Sequence, residues 1–339
     1  MGNRKFCRSI HVVMVTLFMF LTCYSNVSFG QSTANTNQTM PSFKFGGFLQ
    51  QQFTADQTDG VAEQFLIKRA RFGAVGTLTD RISVNLIGGF VEPPDRNPAL
   101  VNAFIDFDIH PLFQVRTGQF LLPFGIESLE VIIFNPAIER TMTIRRLNPF
   151  RMFRDVGIQV GGEGSIINYK IVVINGKGAN QMEEFNPKDI MGRIGFTPFE
   201  DFEIGGSLHF GQYQPVAVSE DHEDRFRAGI DVSYTGDPVF FRGEYIIRED
   251  DLTGGGSLKI NGGYLLGVYK FSDKFQGISR YEFFTSNTDL DDNELSAITL
   301  GANYYFVGNT RLSVNYEIRD DKLNPDFGNL LTVQMQVSL

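Results

Sequence analysis

Beyond residue 30, apolar side chains recur at every second position through segment after segment, separated by turn residues, and no long apolar run interrupts them. The last nine residues show the alternation plainly. Leu331, Val333, Met335, Val337 and Leu339 fall on one parity, and Thr332, Gln334, Gln336 and Ser338 on the other. A period of two places these sets on opposite faces of a strand. One face then suits lipid and the other water. Because lipid offers the backbone no hydrogen bonds, such strands span a bilayer only as a closed barrel. The expected fold is all-β: a transmembrane antiparallel β-barrel over residues 42–339, with its polar face lining a lumen.

The connections between strand candidates alternate in length. Short ones fall at 79–81, 110–111, 163–165, 197–201, 236–238, 272–274 and 307–310. Longer polar ones fall near 55–63, 91–99, 121–153, 177–188, 214–224, 249–257, 286–294 and 320–328. Seven short and eight long connections imply sixteen strands, with short periplasmic turns, long external loops and both termini on the periplasmic side. The stretch 121–153 is the longest. It carries Pro123, Pro136 and Pro149 with Arg140, Arg145, Arg146 and Arg151. A loop of this length has a function to explain it. Folded inward, it would narrow the lumen and set the field there; left outside, it is an ordinary basic surface loop.

The first 30 residues form a separate object. Arg4, Lys5 and Arg8 precede an apolar stretch from Ile10 to Leu21, and Ser28-Phe29-Gly30 offers small residues for cleavage, the pattern of a signal peptide. Residues 31–41 then form a short periplasmic segment. Both cysteines, Cys7 and Cys23, lie in the leader, so the rest of the chain holds no disulfide or thiolate metal site. Export without cysteine fits the outer membrane of a Gram-negative bacterium, with outer-membrane lipid as a partner. Losing three basic leader residues from 30 leaves 27 against 39 acidic ones, a net charge of −12. An acidic chain lacks the basic face that nucleic acid requires. Trp is absent, but 33 Phe and 11 Tyr can supply the aromatic girdles of a barrel.

Parity sends Lys44, Arg69, Arg71, Arg116, Lys170, Arg193, Arg225, Arg227, Arg242, Arg248, Arg280, Arg311 and Arg319 toward the lumen, thirteen cations. The same rule sends in nine carboxylates: Asp106, Asp108, Asp155, Asp189, Glu203, Asp231, Glu244, Glu282 and Glu317. The wall is thus modestly positive inside a negative chain. Arginine stays charged and offers a planar fork to phosphate or carboxylate oxygens. The candidate anion-binding or pore-lining set is therefore Arg69, Arg71, Arg116, Arg193, Arg225, Arg227, Arg242 and Arg280 on strands, with Arg140, Arg145, Arg146 and Arg151 on the long loop. Same-face neighbours Arg242 with Glu244, Arg280 with Glu282 and Glu317 with Arg319 read more readily as structural ion pairs.

Several ordered fragments resemble the phosphate-selective porin O and P family. They are Arg69-Ala70-Arg71, Gly118-Gln119-Phe120 followed by Pro123-Phe124-Gly125-Ile126-Glu127, Arg154-Asp155-Val156-Gly157, Asn175-Gly176-Lys177-Gly178 and Arg280-Tyr281-Glu282. The resemblance implies a sixteen-stranded barrel, a homotrimer, that passes small inorganic anions, phosphate or polyphosphate in some members. Family phosphate sites also use lysine at a constriction shaped by the third external loop, whereas 121–153 contains none. A general porin without phosphate preference stays open, as does a plugged binding or structural barrel. A barrel enzyme is the rival from another class, but His110, His209 and His222 have no nucleophile and base at suggestive spacing. No catalytic residue, metal ligand or cofactor is therefore assigned. Asp289, Asp291, Asp292 and Glu294 lack the glycine and distal glutamate of a calcium loop.

Overall fold

The computed structural model describes residues 41–148, 150–182, 187–213, 223–252, 255–324 and 326–339. The leader, nearly all of the 31–41 segment, Pro149 and His222 lie outside the described residues. Sixteen antiparallel strands close into one barrel in which each pairs with its sequence neighbours and the first with the last. They are β1 (Ser42–Asp56), β2 (Gln64–Thr77), β3 (Ile82–Glu92), β4 (Asn97–His110), β5 (Phe113–Leu121), β6 (Arg154–Glu163), β7 (Ile167–Ile174) and β8 (Asp189–Phe199). The second half comprises β9 (Phe202–Tyr213), β10 (Glu223–Tyr234), β11 (Val239–Asp251), β12 (Ser257–Ser272), β13 (Phe275–Thr285), β14 (Glu294–Val307), β15 (Thr310–Asp321) and β16 (Leu330–Ser338). Closure leaves no sheet edge: Leu49, Phe53 and Ala55 of β1 sit opposite Val337, Val333 and Leu331 of β16.

Alternation places the apolar parity outside. Leu86, Ile158, Ile171, Ile194, Ile230, Leu265 and Leu300 are among the exposed large side chains. They face the lipid that makes their exposure favourable. The connection expected at 91–99 is only four residues, 93–96, because Glu92 still pairs with Asn97 and the strands run closer to the tip.

Two features depart from simple parity. In β2, Gln50 of β1 sits opposite Arg69 while Gln51 sits opposite Ile67, leaving Lys68 as the extra residue of a β-bulge. The bulge lets Phe65 and Ile67 face lipid on odd numbers and Phe72 on an even one. It also turns Lys68 inward, to a carboxylate in the lumen.

The second departure concerns the inner face, which the alternation alone makes polar. Between β5 and β6 the chain enters the barrel, forms α1 (Ile126–Leu129) and α2 (Met142–Leu147), and buries Leu122, Phe124, Ile144 and Leu147 completely. These pack with inward apolar residues of the wall: Val172 and Ile174 of β7, Met191 of β8, Ile246 of β11, Ile260 of β12, and Leu295 of β14. The barrel thus has an internal apolar core on part of its circumference. Burying each such side chain contributes about 1.5–3 kcal/mol relative to exposure.

Candidate functional site

Local chemistry holds the loop in shape. Thr141 caps α2, its Oγ1 accepting from Ile144 N at 3.3 Å. The same hydroxyl donates to Glu127 Oε2 at 2.6 Å, and Glu127 also accepts from Thr141 N and Asn135 Nδ2, each at 3.2 Å. Gly125 has φ 78 and donates its N–H to Ser207 Oγ of β9 at 3.0 Å. A side chain there would meet the Glu244 carboxylate, so only glycine fits this approach.

Most inward arginines of the far wall hold this loop. Arg227 Nε donates to Leu147 O at 3.1 Å, Arg280 Nη1 to Glu139 O at 2.8 Å, and Arg311 Nη2 to Asn135 O at 2.6 Å. Arg242 pairs with Glu130 at 3.0 Å rather than with its strand neighbour Glu244. Arg319 pairs with Asp56 at 2.6 Å rather than with Glu317. Of the three expected same-face pairs, Arg280 with Glu282 forms, at 2.7 Å. Glu282 in turn accepts from Met142 N at 2.5 Å. A buried guanidinium needs such partners, because an unpaired buried charge costs several kcal/mol.

Elsewhere Arg116 forks onto Asp106 at 2.6 and 2.9 Å. Arg193 joins Asp231 and Glu203, the closest contacts being 2.5 and 2.6 Å. Arg225 lies on β10 beside Arg227, and Arg146 stacks over Phe284 at 5.0 Å. His209 is enclosed between Phe124 and Phe150, bonded to Asp189 at 2.8 Å and to Arg227 at 2.9 Å. That environment supports the loop's attachment.

The remaining candidates converge. Arg69 and Arg71 of β2 face Arg140, Arg145 and Arg151 of the loop across a cavity of about 610 Å³. Lys68 and Arg154 also line it, making seven cations against the carboxylates Glu92 and Glu139, a surplus of five positive charges. Glu139 links both sides: Lys68 Nζ lies at 3.1 Å, Arg69 Nη2 at 3.2 Å and Gln52 Nε2 at 3.0 Å. Burial alone raises its carboxyl, but Arg69, Lys68 and the Gln52 amide hold it well below the usual carboxylate range. Glu92 forks onto Arg71 with two 2.6 Å bonds, and Arg151 pairs with Asp95 at 2.8 Å. Burial pushes the Arg140 guanidinium down to about 10, so it remains charged at neutral pH.

Parity reading missed Lys68, Arg154, Glu92 and Glu139. The trace of Lys68 is the switch of apolar parity between Ile67 and Phe72, which only a bulge allows. Among the described residues no cluster of side chains suits a metal ion.

Residues 43–238 and 216–339 match the family described as phosphate-selective porin O and P. The chain belongs to this family. As a porin of the outer membrane it is a channel rather than an enzyme. No curated protein matches its sequence significantly. Among solved structures, a loop-deletion mutant of the Vibrio cholerae outer-membrane protein OmpT shares 13% identity with the porin. It superposes with a TM-score of 0.70, covering 89% of this chain and 100% of that one. The anion-selective porin from Comamonas acidovorans has 14% identity and a TM-score of 0.69, covering 88% and 100%. Salmonella typhi OmpF has 10% identity and a TM-score of 0.67, covering 88% and 97%. At these identities the likeness is one of fold. The family fragments acquire physical roles here: Glu127, Arg280 and Glu282 secure the loop, and Asp155 Oδ2 accepts from Gly176 N at 2.7 Å, joining two fragments.

Proposed function

We propose that this porin passes small inorganic anions, phosphate among them, along the positive gap between the inturned loop and β2–β3. The observation that carries the reading is the surplus of cations there: seven against two carboxylates, in a chain whose total charge is negative. A low-dielectric wall of one sign concentrates counter-ions and favours their passage. Lys68 adds the lysine that family phosphate sites use and that 121–153 lacks. Export through the 1–30 leader and assembly as a homotrimer complete the reading. The latter is supported by a trimer form of Vibrio cholerae OmpT among the structural neighbours, and anion selectivity by the name of the Comamonas acidovorans porin.

The test is a reversal potential across planar bilayers in a potassium chloride gradient, repeated with phosphate added. Preference for chloride, with partial block by phosphate, is the expected result. Preference for potassium in the unmodified protein refutes anion selection and leaves the barrel intact.

A further inference from the structure

The same cavity is more than a ring of charge. Its volume, about 610 Å³, falls among pockets that enclose organic ligands, roughly 300–1,000 Å³. Cations stand on two sides, Lys68, Arg69 and Arg71 from β2 and Arg145 and Arg151 from the loop. Pro93, Phe150, Met152 and Phe153 add apolar surface to the lining. Met152 and Phe153 both hold left-handed backbone, with φ of 58 and 59. Bulky residues adopt that conformation only where the surroundings impose it. Here Arg154 Nη1 fixes the Met152 carbonyl at 2.7 Å, and Arg140 lies over the Phe153 ring at 4.7 Å.

Asn148 supplies a second, independent observation. It lines the cavity and is only 5% exposed. Its Oδ1 accepts from Phe150 N at 3.2 Å, while its Nδ2 has no partner among the described residues. A buried donor without a partner is unfavourable until an acceptor arrives. Beside seven cations, one neutral amide adds little to the capture of charge. It acts by selecting an acceptor at a fixed place.

We infer that the cavity takes an organic dianion: two carboxylates held apart on a flat apolar body, one of their oxygens accepting from Asn148 Nδ2. The inference rests on the anion reading of this site and narrows it. Guanidinium forks grip carboxylates in pairs and stack on planar groups. The ring of such a ligand lies against Pro93 and Met152, apolar lining that inorganic phosphate leaves unmatched.

The full-length porin in planar bilayers, carrying a chloride current, is titrated separately with isophthalate and with inorganic phosphate. Isophthalate is expected to half-block at a concentration about tenfold lower than phosphate, the gain expected from covering apolar lining with its ring. Asn148→Ala is expected to raise the isophthalate value about tenfold. The comparison on unmodified protein holds whether or not the variant assembles. Phosphate blocking as strongly as isophthalate overturns the inference while anion selection stands. A cation-preferring channel blocked by neither removes both readings. Undiminished isophthalate block in Asn148→Ala overturns the assignment of the amide donor.

Discussion

Arg145 and Arg146 are adjacent in sequence and unequal in place. Arg145 lines the positive cavity, its Nε donating to Arg140 O at 3.0 Å, while Arg146 rests on Phe284 outside that lining. Arg145→Gln is therefore expected to lower the chloride-to-potassium permeability ratio about twofold, with a smaller change for Arg146→Gln, as read from reversal potentials. Glu139→Gln acts in the opposite direction. It removes the counter-charge shared by Lys68 and Arg69 and raises the ratio. Because the folded carboxyl lies below its ordinary value of 4.5, its contribution to loop docking is complete above that value and disappears only at still lower pH. Tryptic cutting of the loop is thus expected to be no faster at pH 5.5 than at pH 7.5, after correction for trypsin activity. At this scale the sequence disclosed which arginines point inward but not what they bind. Arg227, Arg242, Arg280 and Arg311 look from parity like Arg69 and Arg71. Their partners are backbone carbonyls and a carboxylate over a hundred positions distant for three of the four, which no strand pattern encodes.

At the scale of elements, the strands and tight turns were legible because turn residues and alternation are local signals. The inturned segment was legible as an exception through its length and prolines. Its path was hidden, because it depends on apolar residues of the wall, such as Val172, Ile174 and Ile246, that read as interruptions of a polar face. The bulge at Lys68 was readable in principle and is easily passed over, since one extra residue reverses every later assignment in its strand. Glu127 ties α1 to the cap of α2. Glu127→Ala leaves Thr141 N and Oγ1 without their acceptor, at a cost of about 1–3 kcal/mol of docking energy. Faster trypsin cleavage at Arg140, Arg145 or Arg146, with noisier open-channel current, is the expected outcome.

For the whole molecule, closure and an apolar exterior decide stability in the bilayer. Leu300, near the middle of β14, is 51% exposed on the outer face. Leu300→Arg is expected to cost about 2–4 kcal/mol in refolding titrations into lipid vesicles. Unheated protein should migrate anomalously on a denaturing gel and shift on boiling, with the shift occurring at lower temperature for that variant. The loop's hydrogen bonds reach β1 through Gln52, β2 through Arg69 and every strand from β9 to β16, by way of Ser207, Arg227, Arg242, Gly263, Arg280, Asn303, Arg311 and Gln336. These attachments work like spokes run from a hub to its rim. A tube stiffened in that way resists ovalisation, so lateral pressure from the surrounding bilayer should leave its bore, and hence its unitary current, unchanged.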